Sequence, residues 1–179
     1  MMPAHIAFVG LPGSGKSTVG RHLAKRLDRP FIDSDQVIER RIGASIRDFF
    51  EQEGEEAFRD LEQTVIGELT LGESCVLASG GGAVLRMVNR QHFQQRTHGF
   101  YLHALPEEVF RRLRHDRNRP LLQVADPLAR LRELYALRDP LYRQSAKFVV
   151  ETGKPSVTAL VNTVVFQLEQ AGDLPHAGS

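Results

Sequence analysis

FVGLPGSGKSTVGRHLAKRL, Phe8 to Leu27, runs from an apolar strand pattern through a glycine-rich turn into a basic amphipathic helix. Gly10, Gly15, Lys16 and Ser17 fit G-x-x-x-x-G-K-[ST] in the strand–loop–helix context that the pattern requires. Glycine lets the backbone curl until several N–H groups point inward at phosphate oxygens. The helix that starts near Lys16 adds the positive end of its dipole. Lys16 can then reach β- and γ-phosphates, and the Ser17 hydroxyl can ligate Mg²⁺. The predicted phosphate contacts are Gly13, Ser14, Gly15, Lys16, Ser17 and Thr18. A plain Gly-rich turn is the alternative, but the four-position match arises by chance in under about one such chain in a hundred.

Outward from this loop, short apolar runs flanked by turn signals recur at 5–9, 30–33, 75–79, 99–103 and 147–151. Between them lie longer charged segments with apolar residues three and four apart. Strands alternating with helices imply an α/β domain whose parallel sheet is buried on both faces. One helix is expected from Glu55 to about Thr70, with Gly54 and Gly72 at its ends and Phe58, Leu61, Val65 and Leu69 on one face. In open parallel sheets, ligands bind beyond the carboxyl ends of the strands, so post-strand residues should converge on one cleft.

The 179 residues suffice for one domain, expected to span 1–179, and no repeat or low-complexity linker divides them. Lys plus Arg total 23 against 22 acidic residues, so no global field favours nucleic acid or a membrane surface. No apolar run reaches the length of a membrane span, and MMPAHIAFVG lacks the n-region of a secretory leader. The single cysteine, Cys75, excludes an internal disulfide, suits the reducing cytoplasm and sits in an apolar run where a buried, inert thiol is expected. The seven histidines form no zinc-binding spacing. The Gly/Pro-rich tail, about 172–179, is expected to fray.

Chemistry-bearing residues follow the expected strands. FIDSD offers Asp33 and Asp35, which share an orientation if the backbone stays extended. Asp33 would then help hold a Mg²⁺ shell and Asp35 would accept a hydrogen bond from an acceptor hydroxyl. With equal force, Ser34 or Asp35 could simply cap the next helix. LASGGGAV places Gly80, Gly81 and Gly82 in succession, a run of backbone N–H groups open to close approach by a ligand. RHDRNRPLL concentrates Arg114, Arg117 and Arg119, consistent with a mobile lid at about 112–124 that excludes water. A solvated charged turn accounts equally for Arg114 and Arg117. Arg59 and Glu62, three apart, would by themselves form a surface ion pair worth a few tenths of a kcal/mol. Arg138 stands at the end of a charged helix, just before Asp139-Pro140, where proline disfavours further helix.

Two absences narrow the class. The strand ending LASGGG carries no Walker-B acid, and no N-K-x-D reads guanine. Both lower the motor-ATPase and GTPase readings and favour a small kinase that draws its metal carboxylate from DSD.

GLPGSGKST, FIDSD, FRDLE, SGGGAV, RNRPLL and LRDPLYR, in this order, closely resemble the shikimate kinase family over about residues 5–168. The resemblance implies a three-layer α/β/α, nucleoside-monophosphate-kinase-like fold with a mobile lid and a five-stranded parallel sheet in the order 2-3-1-4-5. It implies transfer of the ATP γ-phosphoryl group to the 3-hydroxyl of shikimate. Lys16 and Ser17 keep the roles argued above, Asp33 would hold Mg²⁺ through water, and Asp35 would bind the acceptor hydroxyls as binder or base. Arg59 and Arg138 would clamp the shikimate carboxylate, with Glu62 orienting Arg59. Gly81 and Gly82 would meet the substrate through their backbone, Gly80 beside them, and Phe50 and Phe58 would wall the pocket. The acceptor region would span about 33–62, and Arg119 would close from the lid. Lys154 and Pro155, in ETGKPSV, fall where the family binds adenine, and Arg112 joins them unless it is a plain surface arginine. The partners implied are ATP and shikimate, with no nucleic acid and no membrane, for a monomeric cytoplasmic enzyme. A kinase of gluconate or of a nucleoside monophosphate is the nearest alternative, but DSD, FRxxE and RxPLYR are not expected together there. A non-catalytic nucleotide-binding module should have lost Lys16, Asp33, Asp35 or Arg119, and all four are present.

Overall fold

Strand β1 (His5–Val9) is buried along its whole length, which only the middle of a covered sheet allows. Its neighbours are β3 (Val76–Ala78) and β4 (Thr97–His103), both parallel to it. β2 (Phe31–Asp33) pairs with β3, and β5 (Phe148–Glu151) with β4, giving the order β2-β3-β1-β4-β5. The computed structural model describes residues 5–114, 124–153 and 155–172.

Alternation along β1 sorts the core into two layers. Ile6 and Phe8 face α1 (Lys16–Leu27) and α7 (Val157–Gln170), packing with Leu23, Val161 and Val164. Ala7 and Val9 face the opposite layer, with Ile66, Phe93, Leu131 and Tyr142. Those residues come from α3 (Ile46–Leu71), α4 (Met87–Arg96) and α6 (Pro127–Ser145), and α5 (Pro106–Leu113) adds Val109. A third, smaller cluster of Ile38, Phe58 and Val65 joins α2 (Ser34–Ile42) to α3. Cys75 is buried, and burial pushes its thiol up to about 11, so it is unreactive at neutral pH, as expected.

Three local outcomes differ from the sequence reading. The helix expected from Glu55 is preceded by a second helical rod from Ile46, and Gly54 (φ 87°, ψ 171°) separates the two where the sequence places the boundary. That conformation is essentially open to glycine alone. β4 begins two residues before its apolar run, at Thr97 and His98, because the Thr97 hydroxyl bonds the Phe93 carbonyl at 2.6 Å and is hidden. α6 continues through Pro140 to Ser145, against the expected stop. Proline removes one helical hydrogen bond there, and burial of Leu134, Tyr142 and Ser145 on either side outweighs that loss.

Candidate active site

Because all five strands are parallel, their carboxyl ends share one edge, and the chain reverses direction about β1. A cleft of about 640 Å³ opens there, lined by the loop Pro12–Val19, Asp33, Asp35, Ser79–Gly81, Arg112, Thr152 and Pro155. The post-strand segments of β1, β2, β3 and β5 thus converge as the pattern required. The loop itself is wound by Gly13 (φ 83°) and by Gly15 (φ 99°), which sits at the N-terminus of α1. Lys16 is buried, and its ammonium donates to the carbonyls of Gly10 (2.6 Å) and Leu11 (2.9 Å). Ser14 has a buried hydroxyl with no hydrogen-bond partner among the described residues, and Ser17 and Thr18 line the floor.

Asp33 does two jobs. One oxygen caps α2, accepting from the Asp35 N–H at 2.9 Å and the Gln36 N–H at 3.4 Å. The other accepts from the Ser17 hydroxyl at 2.9 Å. The cap is therefore Asp33, not Ser34 or Asp35. The backbone does not stay extended past Asp33, because α2 starts at once. Asp35 instead reaches the cleft from the first turn of that helix. Its Oδ1 is buried without a hydrogen-bond partner among the described residues. Burial, then the charges of Asp33 and Glu62, push its carboxyl up to about 6, with Lys16 opposing.

A second cluster adjoins the cleft through Asp35 and the glycines. A β-carbon on Gly80 would lie 2.7 Å from Asp35 Oδ1, and one on Gly81 would lie 2.7 Å from the Pro12 ring. On Gly82 it would lie 2.6 Å from Arg59 Cζ. The glycines thus let three different partners approach, a reason that exposure of N–H groups alone does not supply. Arg59 donates to Glu62 at 2.8 Å, and its guanidinium lies 5.1 Å above the Phe58 ring and 5.9 Å above that of Phe50. Phe58 is buried, and Phe50 packs half-buried at a ring distance of 4.7 Å. The Arg59–Glu62 pair is buried rather than at the surface, since this face of α3 turns toward Gly82. Burial raises the Glu62 pKa despite Arg59, whose charge and hydrogen bond pull it down. Arg138, half-buried on α6, adds its own charge to Glu62.

On the far side, Arg112 donates to the Ser14 carbonyl (3.3 Å) and to the Thr152 carbonyl (2.5 Å) and hydroxyl (3.2 Å). It bridges the phosphate loop to the segment after β5, where Pro155 lines the cleft. Arg117, Arg119 and Lys154 lie outside the described residues, as does most of the expected lid. Among the described residues, no cluster of His, Cys, Asp and Glu is arranged to hold a metal by itself.

Two participants escaped the sequence reading. Thr152 fixes Arg112 while its hydroxyl bonds the His103 carbonyl at 3.0 Å. Tyr142 donates to the Gly81 carbonyl at 2.7 Å. Thr152 carries no local signal, whereas Tyr142 stands four residues after Arg138, on the same helix face.

Known proteins resemble this chain over nearly its whole length. The family model described as shikimate kinase matches residues 12–169. A shikimate kinase of Paracidovorax citrulli is 61% identical over 174 residues, covering 95% of this chain and 94% of the relative. One of Burkholderia thailandensis is 57% identical over 168 residues, covering 94% and 91%. The solved shikimate kinase of Acinetobacter baumannii in complex with shikimate superposes with a TM-score of 0.89 at 44% identity, covering 97% of this chain and 96% of that one.

Proposed function

The chain belongs to the shikimate kinase family, and on that premise we propose that it transfers the γ-phosphoryl group of ATP to the 3-hydroxyl of shikimate, giving shikimate 3-phosphate and ADP. The observation that carries this assignment is a polarity. Asp35, with a carboxylate oxygen unpartnered among the described residues, stands beside the phosphate loop; the Arg59 guanidinium stands beyond the glycine turn, and the charge of Arg138 acts on its partner Glu62. A small ring with hydroxyls at one end and a carboxylate at the other needs those two ends.

In this proposal, Gly13 to Thr18 cradle the ATP phosphates, and Lys16 supplies positive charge where the transferring group gathers negative charge. Asp35 accepts a hydrogen bond from the acceptor hydroxyl and orients it in line. At neutral pH its carboxyl, with a pKa of about 6, is mostly ionised and able to take the proton. Arg59 and Arg138 grip the carboxylate, Glu62 holds Arg59 in place, and Gly80 to Gly82 with Phe50 and Phe58 shape the wall between. Arg112 and Pro155 border the nucleotide, and Lys154, outside the described residues, is assigned to the adenine by resemblance to the family. Arg119, outside the described residues, is assigned by resemblance to a lid over about 112–124 that excludes water. Positioning and charge stabilisation carry most of such a transfer, so no strong base is required.

The Ser17 hydroxyl and the Asp33 carboxylate, 2.9 Å apart beside the loop, are the hard oxygen donors that Mg²⁺ prefers. Ser17 directly, and Asp33 through water, would hold the ion, which when bound neutralises charge on the phosphates. Among the described residues no helix is long and apolar enough to cross a membrane. The assignment includes a single kinase domain over 1–179, working as a monomer in the cytoplasm.

A coupled ADP-release assay tests the whole. ADP should appear only with both shikimate and Mg²⁺, and not with gluconate or a panel of nucleoside monophosphates. Robust turnover of another acceptor with none of shikimate would sink the assignment.

A further inference from the structure

Thr152 is buried in the first position after β5. Its main-chain N–H and its hydroxyl both donate to the His103 carbonyl, each at 3.0 Å. A carbonyl has no proton to give, so the one hydroxyl proton goes there and the hydroxyl oxygen is left to accept. Arg112 supplies the donor. One terminal nitrogen meets that hydroxyl at 3.2 Å and the Thr152 carbonyl at 2.5 Å, and the other donates to the Ser14 carbonyl at 3.3 Å. A guanidinium can only donate, so the direction of every bond in this chain is settled. His103, which anchors the chain, is itself held through both ring nitrogens. They lie 2.7 Å from Glu151 of β5 and 2.7 Å from the Tyr135 hydroxyl of α6.

We infer that Thr152 is a positioning residue for the nucleotide: its hydroxyl fixes the Arg112 guanidinium between the phosphate loop and the segment after β5. The inference rests on the proposed place of Arg112 beside the nucleotide. Arg112 stands in the last turn of α5, where a long side chain has several rotamers open to it. A lone carbonyl accepts over a broad range of directions and does not select among them. Two oxygens of one residue on the same guanidinium nitrogen do. Threonine suits the task because its branched side chain is stiff at χ1. The bond to His103 then makes its hydroxyl a fixed point on the sheet.

Thr152→Val keeps the branched shape and the main-chain bond to His103 and removes the hydroxyl. It should raise the ATP KM about fivefold while leaving the shikimate KM and kcat within about twofold, a loss confined to nucleotide binding. ADP affinity, titrated without shikimate, should fall by the same factor. Thr152→Ala should repeat the loss, and Thr152→Ser, which keeps the hydroxyl, should stay within about twofold of wild type. On an Arg112→Ala background, Thr152→Val should alter the ATP KM less than about twofold, because the group it positions is gone. Thr163→Val removes an exposed hydroxyl bonded to the Ala159 carbonyl on α7 and should leave the ATP KM unchanged. An unchanged ATP KM in Thr152→Val overturns the inference. So do effects of Thr152→Val and Arg112→Ala that simply multiply, a Thr152→Ser enzyme as weak as Thr152→Val, or equal rises in both KM values. If Arg112→Ala alone leaves the ATP KM unchanged, Arg112 does not border the nucleotide and the inference falls with it. If the wild-type enzyme turns over another acceptor and not shikimate, the substrate is wrong, and the ADP titrations still decide the role of Thr152.

Discussion

At the proposed phosphate end of the cleft, one continuous loop from Gly10 to Ser17 presents main chain and a single lysine. At the proposed acceptor end, Asp35, Arg59, Glu62 and Arg138 arrive from three different helices as buried or half-buried charge whose fields act on one another. The two ends are therefore stabilised differently. The loop depends on backbone conformations that glycine permits, including left-handed Gly15 at the start of α1. The acceptor end depends on charge balance, and there burial wins: it raises Glu62 in spite of a 2.8 Å partner and lifts Asp35 toward neutrality. Removing one member of such a group leaves the others uncompensated, which costs more than the pair contributed when whole.

The sharpest way to break this contrast is at Lys16. Lys16→Ala should lower kcat by about 100- to 1,000-fold or more with any acceptor, while acceptor saturation changes little. Steady-state kinetics with both substrates varied will show it, and a selective effect on the shikimate KM would blur the two ends. Gly82→Ala should do the reverse. Its β-carbon would collide with the Arg59 guanidinium, so the shikimate KM should rise about tenfold or more while the ATP KM holds.

The smallest effect concerns stability. The Asp35 carboxyl is raised from 3.8 to about 6, so its ionised form is disfavoured in the folded state. The stability this site lends as a neutral acid is fully present below about pH 4. It is lost as pH rises through about 6. Asp35→Asn should therefore stabilise the protein by on the order of 1–2 kcal/mol above pH 7 and by almost nothing near pH 4. Thermal unfolding across that range checks the sign, and a gain independent of pH would contradict the burial account.

The phosphate end was legible because its residues are contiguous and each has a fixed offset. The five strands were legible as apolar runs, though not the polar start of β4, whose Thr97 hides its hydroxyl by a bond within the fold. Gly54 marked the break in α3 correctly because only glycine relieves that backbone. The sheet order and the arginine clamp entered through resemblance to a family, since spacing along the chain says nothing of which helix faces which. Pro140 misled for the opposite reason: a local rule yielded to packing on both sides of it. The Asp33 cap was missed because three neighbouring residues could each have filled that position.

The three glycines have a further consequence in genetic terms. Every missense change from a glycine codon adds at least a β-carbon. At residues 80 and 82 that atom would press on Asp35 and Arg59, the tips of side chains that can swing aside. At residue 81 it would press on the ring of Pro12 and so on the phosphate loop. Alleles at 80 and 82 should accumulate as folded protein that has lost its acceptor. In this stretch, null phenotype and protein abundance come apart.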